Sequence, residues 1–249
     1  MNGLDFKCHV FVGLDEAGRG PLVGDMVVAS VAAKADALEK LINAGLADSK
    51  KLTPQERSTL LLEALRSGVV IIAHYIAPWR LDRENINDIE ACVAREALSI
   101  ISRLFREVDV GKICVLADEI KGRRLKVEES AKATFQSRLG AFVMEEKADA
   151  KFSPMSLASI AAKVYRDANL KVARVVFGNF GSGYPHDPKT QEWVQKLYAT
   201  GAPKPAIVRF SWSCLKNLAP GWYIKKTMKK AGVHVYYYTL LLSHSTHLI

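Results

Sequence analysis

The chain has 249 residues, 49% of them hydrophobic and 24% charged, which excludes a disordered chain and favours one large or two small globular domains. Its formal net charge of +9 favours an anionic partner such as a nucleic acid, although the same charge is compatible with solubility alone. No signal-peptide pattern opens the chain, and the longest late apolar stretch, 233–242, is shorter than the roughly 20 residues of a membrane helix. We therefore expect a cytoplasmic protein without a membrane partner.

Three apolar, β-branched runs in the first third of the chain predict strands at 8–14, 26–33 and 69–77. Because only a glycine-rich turn separates the first two, we expect them to pair in antiparallel fashion.

The next segments predict alternating helices and strands. A capping box at 53–56, with proline at the first helical position, predicts a helix that runs to Arg66. The later predicted elements are a helix at 87–107, a strand at 112–117, a helix at 127–139, a strand at 141–145 and a helix at 156–176. This order predicts an α/β fold with a mixed sheet, an antiparallel opening meander followed by parallel strands, flanked by helices and followed by a helical C-terminal part from about residue 153.

Carboxylates follow several of these strands. Asp15 and Glu16 follow the first strand, Asp118 ends the strand at 112–117, and Asp149 lies just past the next one. Sites collect beyond the C-terminal ends of strands in such folds, and carboxylates are the ligands that Mg²⁺ prefers. Two such ions about 3.5–4 Å apart suit phosphodiester hydrolysis. Taken singly, Asp118 and Asp149 are better explained as ordinary loop carboxylates, and their matching positions at strand ends make the two interpretations equal.

Neighbouring residues of a strand face opposite sides of the sheet. Asp15 and Glu16 can therefore share a metal site only if the chain turns at Glu16 or a main-chain carbonyl takes part, and we expect the turn. Asp15 and Asp118 are the expected central ligands, with Glu16 and Asp149 completing a second metal position.

Basic and glycine residues supply candidate phosphate contacts. The glycines of Gly18-Arg19-Gly20 let main-chain N–H groups approach a phosphate or a sugar, and Arg19 adds a charged fork. Further candidates for phosphate contacts are Lys50, Lys51, Lys163 and Arg166. Each is equally compatible with a solvated surface charge, and Arg166 also with an ion pair to Asp167. Thr53 is mainly a helix cap.

The four cysteines are scattered without a Cys-x-x-Cys pair, so we expect reduced, buried thiols rather than a zinc site or a disulfide framework. The histidines are isolated or lack a third partner, and we assign them no metal.

Several motifs occur together and in order: 13–21 (GLDEAGRGP), 48–53 (DSKKLT), 158–167 (ASIAAKVYRD), 181–190 (GSGYPHDPKT) and, more weakly, 208–212 (VRFSW). In these segments the chain resembles type 2 ribonuclease H, or ribonuclease HII. The archaeal form and the catalytic subunit of the eukaryotic enzyme are more similar than the bacterial form. The resemblance covers about residues 9 to 218.

The resemblance implies a ribonuclease H-like fold and an endonuclease that cuts RNA in RNA/DNA hybrids or at a ribonucleotide embedded in duplex DNA, leaving 3'-hydroxyl and 5'-phosphate ends. It implies Mg²⁺ or Mn²⁺ as cofactor, held by the acids already named. Asp149 is assigned on the short motif 146–149, and Glu119, next to Asp118, is an extra carboxylate that competes for the assignment. It also implies that main-chain groups of Gly18-Arg19-Gly20 contact the ribose 2'-hydroxyl, the group that separates RNA from DNA. Tyr184 corresponds to the tyrosine that stacks on the neighbouring sugar, although by spacing alone it is compatible with an ordinary turn tyrosine.

Two departures from the family pattern stand out. Leu157 occupies a position where a smaller alanine is common, and the segment after Leu218 matches nothing in the family. We assign 1–218 to the catalytic domain and 219–249 to a tail, which is an added strand, a partner-binding tail or, as our first choice, a disordered or loosely packed end. Archaeal relatives act alone whereas eukaryotic ones need accessory subunits, and we expect a monomer.

Two other functions remain open from the sequence. The first is another nuclease of the ribonuclease H-like superfamily that cuts DNA. The second is a non-catalytic hybrid-binding protein, which the retention of four acids disfavours.

Overall fold

A computed structural model describes residues 8–46, 51–106, 112–226 and 238–242. Its strands, within these residues, are β1 Val10–Ala17, β2 Met26–Lys34, β3 Val70–Ile76, β4 Ile113–Asp118, β5 Leu139–Glu145 and β6 Tyr238–Leu242. The α-helices are α1 Ala35–Asn43, α2 Pro54–Arg66, α3 Pro78–Leu81, α4 Ile86–Leu104, α5 Arg124–Phe135, α6 Ser153–Phe177, α7 Pro188–Ala199 and α8 Leu215–Leu218. Short 3₁₀ turns occupy Gln136–Arg138, Ala148–Ala150 and Pro220–Trp222.

The strands form one mixed sheet in the order β5-β4-β1-β2-β3-β6. β1, β2 and β3 make an antiparallel meander, whereas β4 pairs in parallel with β1 on one side and with β5 on the other. The predicted fold class is confirmed.

Both faces of β1 are buried because helices cover the sheet on both sides. Phe11 packs in a core with α1, α2 and α6, and Val10 packs in a second core with α4 and α5. Gly13 allows α6 to come close, because a Cβ at this position would lie 2.2 Å from the carbonyl oxygen of Pro154. The start of α6 is thereby packed directly against β1.

A third core joins the chain after α6 to the turn that follows β1. Leu22, Phe180, Val194 and Trp222 are buried in it together with residues of α8. This core places α7 and the 208–212 segment beside the glycine-rich turn.

The start of α2 follows the predicted capping box. Glu56 donates its main-chain N–H to Thr53 Oγ1 at 3.2 Å, and Thr53 N–H donates to Glu56 Oε2 at 2.7 Å. The helix runs to Arg66 as predicted. Among the described helices, four have no individual prediction from the sequence: α1, α3, α7 and α8, which begin at Ala35, Pro78, Pro188 and Leu215.

The expectation of reduced thiols is wrong for one pair, because Cys8 and Cys114 form a disulfide. They are 106 residues apart in sequence, and the parallel pairing of β1 with β4 brings them together. Cys92 and Cys214 are free thiols.

The first-choice expectation of a loose tail is wrong for residues 238–242. They form β6, which pairs antiparallel with β3, so the alternative of an added strand holds for this segment. The division of the chain at residue 218 and the monomeric state stay predictions. Within the part of the chain that the structure describes, no helix combines the length and the apolar character needed to cross a membrane.

Candidate functional site

The carboxylates of β1 and β4 meet at one end of the sheet. The two strands run in parallel, and Leu14 lies opposite Ala117, which brings the next residues, Asp15 and Asp118, side by side. Asp15 is only 8% exposed. Burial, with the negative charges of Glu16 and Asp118, raises the pKa of Asp15 to about 7.

The predicted turn at Glu16 is wrong, because β1 continues to Ala17 and Glu16 pairs with Val28 of β2. Asp15 accepts a hydrogen bond from Ser159 on α6, whereas the strongest charged neighbour of Glu16 is Glu90 on α4. Burial and the charges of Glu90 and Asp118 raise the pKa of Glu16 to about 7. The two acids thus leave opposite faces of the strand, and Asp118 interacts with both because all three lie at the open end of the sheet.

Glu90 is a member of this cluster that the sequence analysis missed. It is 1% exposed, and burial is the main cause that raises its pKa. One carboxylate oxygen accepts a bond from Arg19, and the other has no hydrogen-bond partner among the described residues. The available signal was an acid within the apolar stripe of α4, between the buried residues Ile89 and Ala91.

Asp149 lies in the 3₁₀ turn that follows β5 and is 6% exposed. The preceding residue, Ala148, donates its main-chain N–H to Asp118 Oδ1 at 3.3 Å, so this turn contacts the end of β4. Glu119, the extra carboxylate of the sequence analysis, is exposed.

The donor set suits a hard divalent cation. Asp15, Glu16, Glu90 and Asp118 line one small pocket, and burial, together with repulsion between these acids, raises the pKa of the first three. A bound cation would offset this repulsion with the oxygen ligands that Mg²⁺ and Mn²⁺ accept. Among the described residues, no group of three or more His, Cys, Asp or Glu side chains has the arrangement of a formed metal site.

The glycine-rich turn follows β1 directly. Gly18 has a φ of +87°, and a Cβ there would lie 2.5 Å from Arg166 Nε, so both the backbone conformation and the space require glycine. The Arg19 side chain bonds Glu90 and Asn87 of α4. The guanidinium predicted to face a phosphate is therefore held against α4 instead.

The carbonyl groups of this turn are bound from the 208–212 segment. Arg209, fully buried, donates to Gly18 O at 2.7 Å and to Arg19 O at 3.1 Å, and also bonds Gly24 O. Trp212 Nε1 donates to Gly20 O at 3.1 Å. The sequence analysis noted this segment only as a weak motif match and gave neither residue a role.

A cavity of about 560 Å³ opens beside Glu16 and this turn. Arg166, in its wall, is 7% exposed, yet its Nε and Nη2 have no hydrogen-bond partner among the described residues. Nη1 lies 4.0 Å from Asp167, and burial lowers the pKa of Arg166. A buried guanidinium with unused donors beside an open cavity is suited to an anion.

Tyr184 also lines this cavity. Its ring is 5.6 Å from the Arg166 guanidinium, and its Cε1 atom is 3.9 Å from where a Cβ of Gly20 would stand. The preceding Gly183 accepts main-chain bonds from Leu22 at 2.8 Å and Val23 at 3.1 Å. The tyrosine loop is therefore attached to the segment that follows the glycine-rich turn.

The predicted lysines are placed differently from one another. Lys163 lines the cavity and donates to Ser159 Oγ at 2.9 Å. Lys51 is exposed at the approach to α2, and Arg57 of that helix, which the sequence analysis did not name, reaches the cavity wall. Lys50 lies outside the described residues.

Comparison with known proteins shows which family the chain resembles. The family model described as Ribonuclease HII matches residues 12–215. The ribonuclease HII of Aeropyrum pernix is 40% identical over 224 residues, which cover 87% of this chain and 93% of that protein. Crystallised ribonuclease H2 from Pyrococcus horikoshii superposes with a TM-score of 0.70 at 30% identity, covering 86% of this chain and 98% of that one. Ribonuclease HII of Archaeoglobus fulgidus, solved in complex with PCNA, gives a TM-score of 0.66 at 33% identity over 84% of this chain and 96% of that one.

Proposed function

Because the chain belongs to the ribonuclease HII family, and is therefore a type 2 ribonuclease H hydrolase, we propose the substrates and the mechanism with which it works. It cuts the RNA strand of RNA/DNA hybrids and incises duplex DNA at embedded ribonucleotides, using two divalent ions and leaving 3'-hydroxyl and 5'-phosphate ends. The observation that carries this proposal is the meeting of Asp15, Glu16 and Asp118 beside a cavity lined by Arg166 and Tyr184.

Asp15, Glu16, Asp118 and Asp149 would hold Mg²⁺ or Mn²⁺. When bound, such ions lower the pKa of water for attack and stabilise the charge on the departing oxygen. Ser159 orients Asp15 by its hydrogen bond, and the main-chain N–H of Glu16 does the same at 2.8 Å from the other side. Glu90 holds Arg19, which keeps the turn beside the acids.

The cavity positions the substrate. Arg166 and Lys163 bind backbone phosphates, and Lys50 and the exposed Lys51 contribute further phosphate contacts. Main-chain groups of Gly18, Arg19 and Gly20 contact the ribose 2'-hydroxyl. The ring of Tyr184 stacks on the sugar next to the ribonucleotide, where RNA changes to DNA.

A cleavage assay with purified protein and a titration of Mg²⁺ and Mn²⁺ tests the proposal. Three duplexes of one sequence are compared: all DNA, DNA with one ribonucleotide, and an RNA/DNA hybrid. We expect cleavage of the second and third only, dependent on the metal, with product ends that a ligase requiring a 5'-phosphate accepts.

Cutting of the all-DNA duplex would favour the alternative of a DNA nuclease of the same superfamily. Binding of the hybrid without cleavage at any metal concentration would favour a non-catalytic hybrid-binding protein.

A further inference from the structure

We propose that Arg209 and Trp212 are positioning residues that set the place of the Gly18–Gly20 turn, and that ribose discrimination depends on them. The inference rests on the proposed function of that turn. In this role the 208–212 segment acts on the reaction through the turn and does not need to contact the substrate.

The bonds of Arg209 are unusual in number and direction. One guanidinium, completely buried, binds the carbonyl oxygens of Gly18, Arg19 and Gly24, and these residues lie 185 to 191 positions away in sequence. Trp212 adds a bond to the Gly20 carbonyl, and its ring centre lies 5.0 Å from the guanidinium. The carbonyls on one side of the turn are thus occupied by protein, so the turn's N–H groups are presented in a fixed direction.

The segment that carries Arg209 is itself held. The carboxylate of Asp82 accepts main-chain N–H bonds from Phe210 at 2.9 Å and Ser211 at 2.8 Å. Asp25 and Asp82 contribute negative charge near Arg209, which offsets part of the cost of burying the cation. The turn is therefore supported by a network anchored in α3 and its C-terminal flank, and not by its own sequence alone.

Displacing a bound group by about 1 Å costs on the order of 10²-fold in rate when the reaction depends on its geometry. Arg209→Lys keeps the charge, but its three donors sit on one nitrogen and cannot reproduce the planar fork whose separate nitrogens reach Gly18, Arg19 and Gly24. We expect Arg209→Lys to lower kcat/KM for a single embedded ribonucleotide by that order. We also expect a smaller preference for this ribonucleotide over its 2'-fluoro analogue.

The test measures both variants, Arg209→Lys and Trp212→Phe, at temperatures well below their melting transitions. Arg138→Lys is the matched control, because Arg138 also donates to a main-chain carbonyl, that of Phe105 at 3.0 Å, far from the turn. The inference holds if the preference for ribose falls in Arg209→Lys, falls less in Trp212→Phe and is unchanged in Arg138→Lys. The inference is overturned if Arg209→Lys lowers kcat/KM equally for the ribonucleotide and for its 2'-fluoro analogue, because the preference for ribose then equals that of the wild type. If the wild type itself fails to prefer ribose, the proposed function fails instead.

A separate observation carries a second inference. A further cavity of about 410 Å³ lies between α2 and α6, and it shares Arg57 and Asp167 with the cavity of the candidate site. Lys171 and Arg174 of α6 also line it. The two cavities are therefore adjacent, and we call their combined lining, which has more cationic than anionic side chains, the channel.

We infer that this channel binds the phosphate backbone of the duplex away from the cut. Ser159, Lys163, Asp167 and Lys171 recur every four residues and so form one ridge that runs obliquely along α6. Ser159 and Lys171 are about 18 Å apart at 1.5 Å per residue. This length corresponds to roughly five base pairs of a duplex at 3.4 Å each.

Salt-dependent binding of duplexes of graded length, with the metal chelated, tests this inference. For Lys171→Ala we expect a slope of log Kd against log salt that is smaller by about one, and only for duplexes that extend about five base pairs on one side of the ribonucleotide. Arg57→Ala is the second variant, and Lys132→Ala, on α5 in the opposite layer, is the control. A Lys171→Ala slope equal to that of Lys132→Ala, or an equal reduction on the shortest duplex, overturns the inference. Loss of cleavage specificity in the wild type would count against the proposed function alone.

Discussion

The acid cluster at the end of β1 and the glycine-rich turn that follows it are neighbours in sequence, but their charges are balanced in opposite ways. In the cluster, Asp15, Glu16 and Glu90 crowd like charges into a buried pocket, and the pKa of each is raised. In the turn, carbonyl oxygens are matched by the donors of the buried Arg209 and of Trp212.

The difference indicates a division of roles. A pocket of repelling carboxylates would become more stable on binding a cation. Relief of the repulsion would then contribute to the affinity for the metal. A turn whose carbonyls are already bound has little left to rearrange and presents fixed N–H groups to a substrate. The following predictions test this contrast.

The largest effect is expected for Asp15→Asn and Asp118→Asn. Each removes a proposed metal ligand, and we expect cleavage to fall by about 10³-fold or more, since metal stabilisation contributes several kcal/mol. Hybrid binding should persist, and the metal-free melting temperature should rise because one repelling charge is lost. Glu119→Gln, at the exposed neighbour of Asp118, is the control. Unchanged cleavage in either asparagine variant would remove the metal-site assignment.

The Cys8–Cys114 disulfide lies at the N-terminal ends of β1 and β4, whereas the acid cluster and the turn lie at the C-terminal ends. We expect Cys8→Ser to lower the free energy of unfolding by about 2–4 kcal/mol, measured by urea denaturation. The kcat/KM value and the preference for ribose should stay at wild-type values. Cys92→Ser, at a free thiol, should change neither quantity. A Cys8→Ser variant with lost activity below its melting transition would show that the bridge supports the site directly.

Tyr184→Ala affects the substrate side of the turn. We expect kcat/KM at a single embedded ribonucleotide to fall by about tenfold, the effect of roughly 1.4 kcal/mol, and to fall less on a long hybrid. Tyr184→Phe keeps the stacking ring and should retain most activity. Equal losses on both substrates would argue against a role at the RNA-to-DNA junction.

The smallest effect concerns pH. Asp15 and Glu16 have ordinary pKa values of 3.8 and 4.5, raised to about 7 in the folded protein. The folded state then binds more protons than the unfolded state between about pH 4 and pH 7, so the stability of the metal-free protein should decrease as pH rises through this range. Melting curves in chelator should show this decrease, and Mg²⁺ should raise the melting temperature more at pH 8 than at pH 5. A Mg²⁺ effect that is equal at both values would contradict the contrast.

Much of this site was predictable because local pattern decides it. The apolar runs that predict β1 and β4 end at Asp15 and Asp118, so the pattern predicts both acids at strand ends. Because parallel strands end at the same edge of a sheet, the two acids are expected to lie close together. Positive φ at Gly18 and the cap at Thr53 are likewise local. The tail after Leu218 was less predictable, since β6 forms only by pairing with β3.

The sequence by itself determined the order of the first five strands and of α2, α4, α5 and α6, the acids at the strand ends and the glycines of the turn, because each depends on a few neighbouring residues. Only the tertiary structure decided that Glu90 joins the acids, that Arg209 binds the turn and that Cys8 meets Cys114. The physical reason is that periodicity shows which face of an element is buried but not what packs against it. The bonds of Arg19 to Glu90 and of Arg209 to Gly18 span 71 and 191 residues, and they exist only once the layers have assembled.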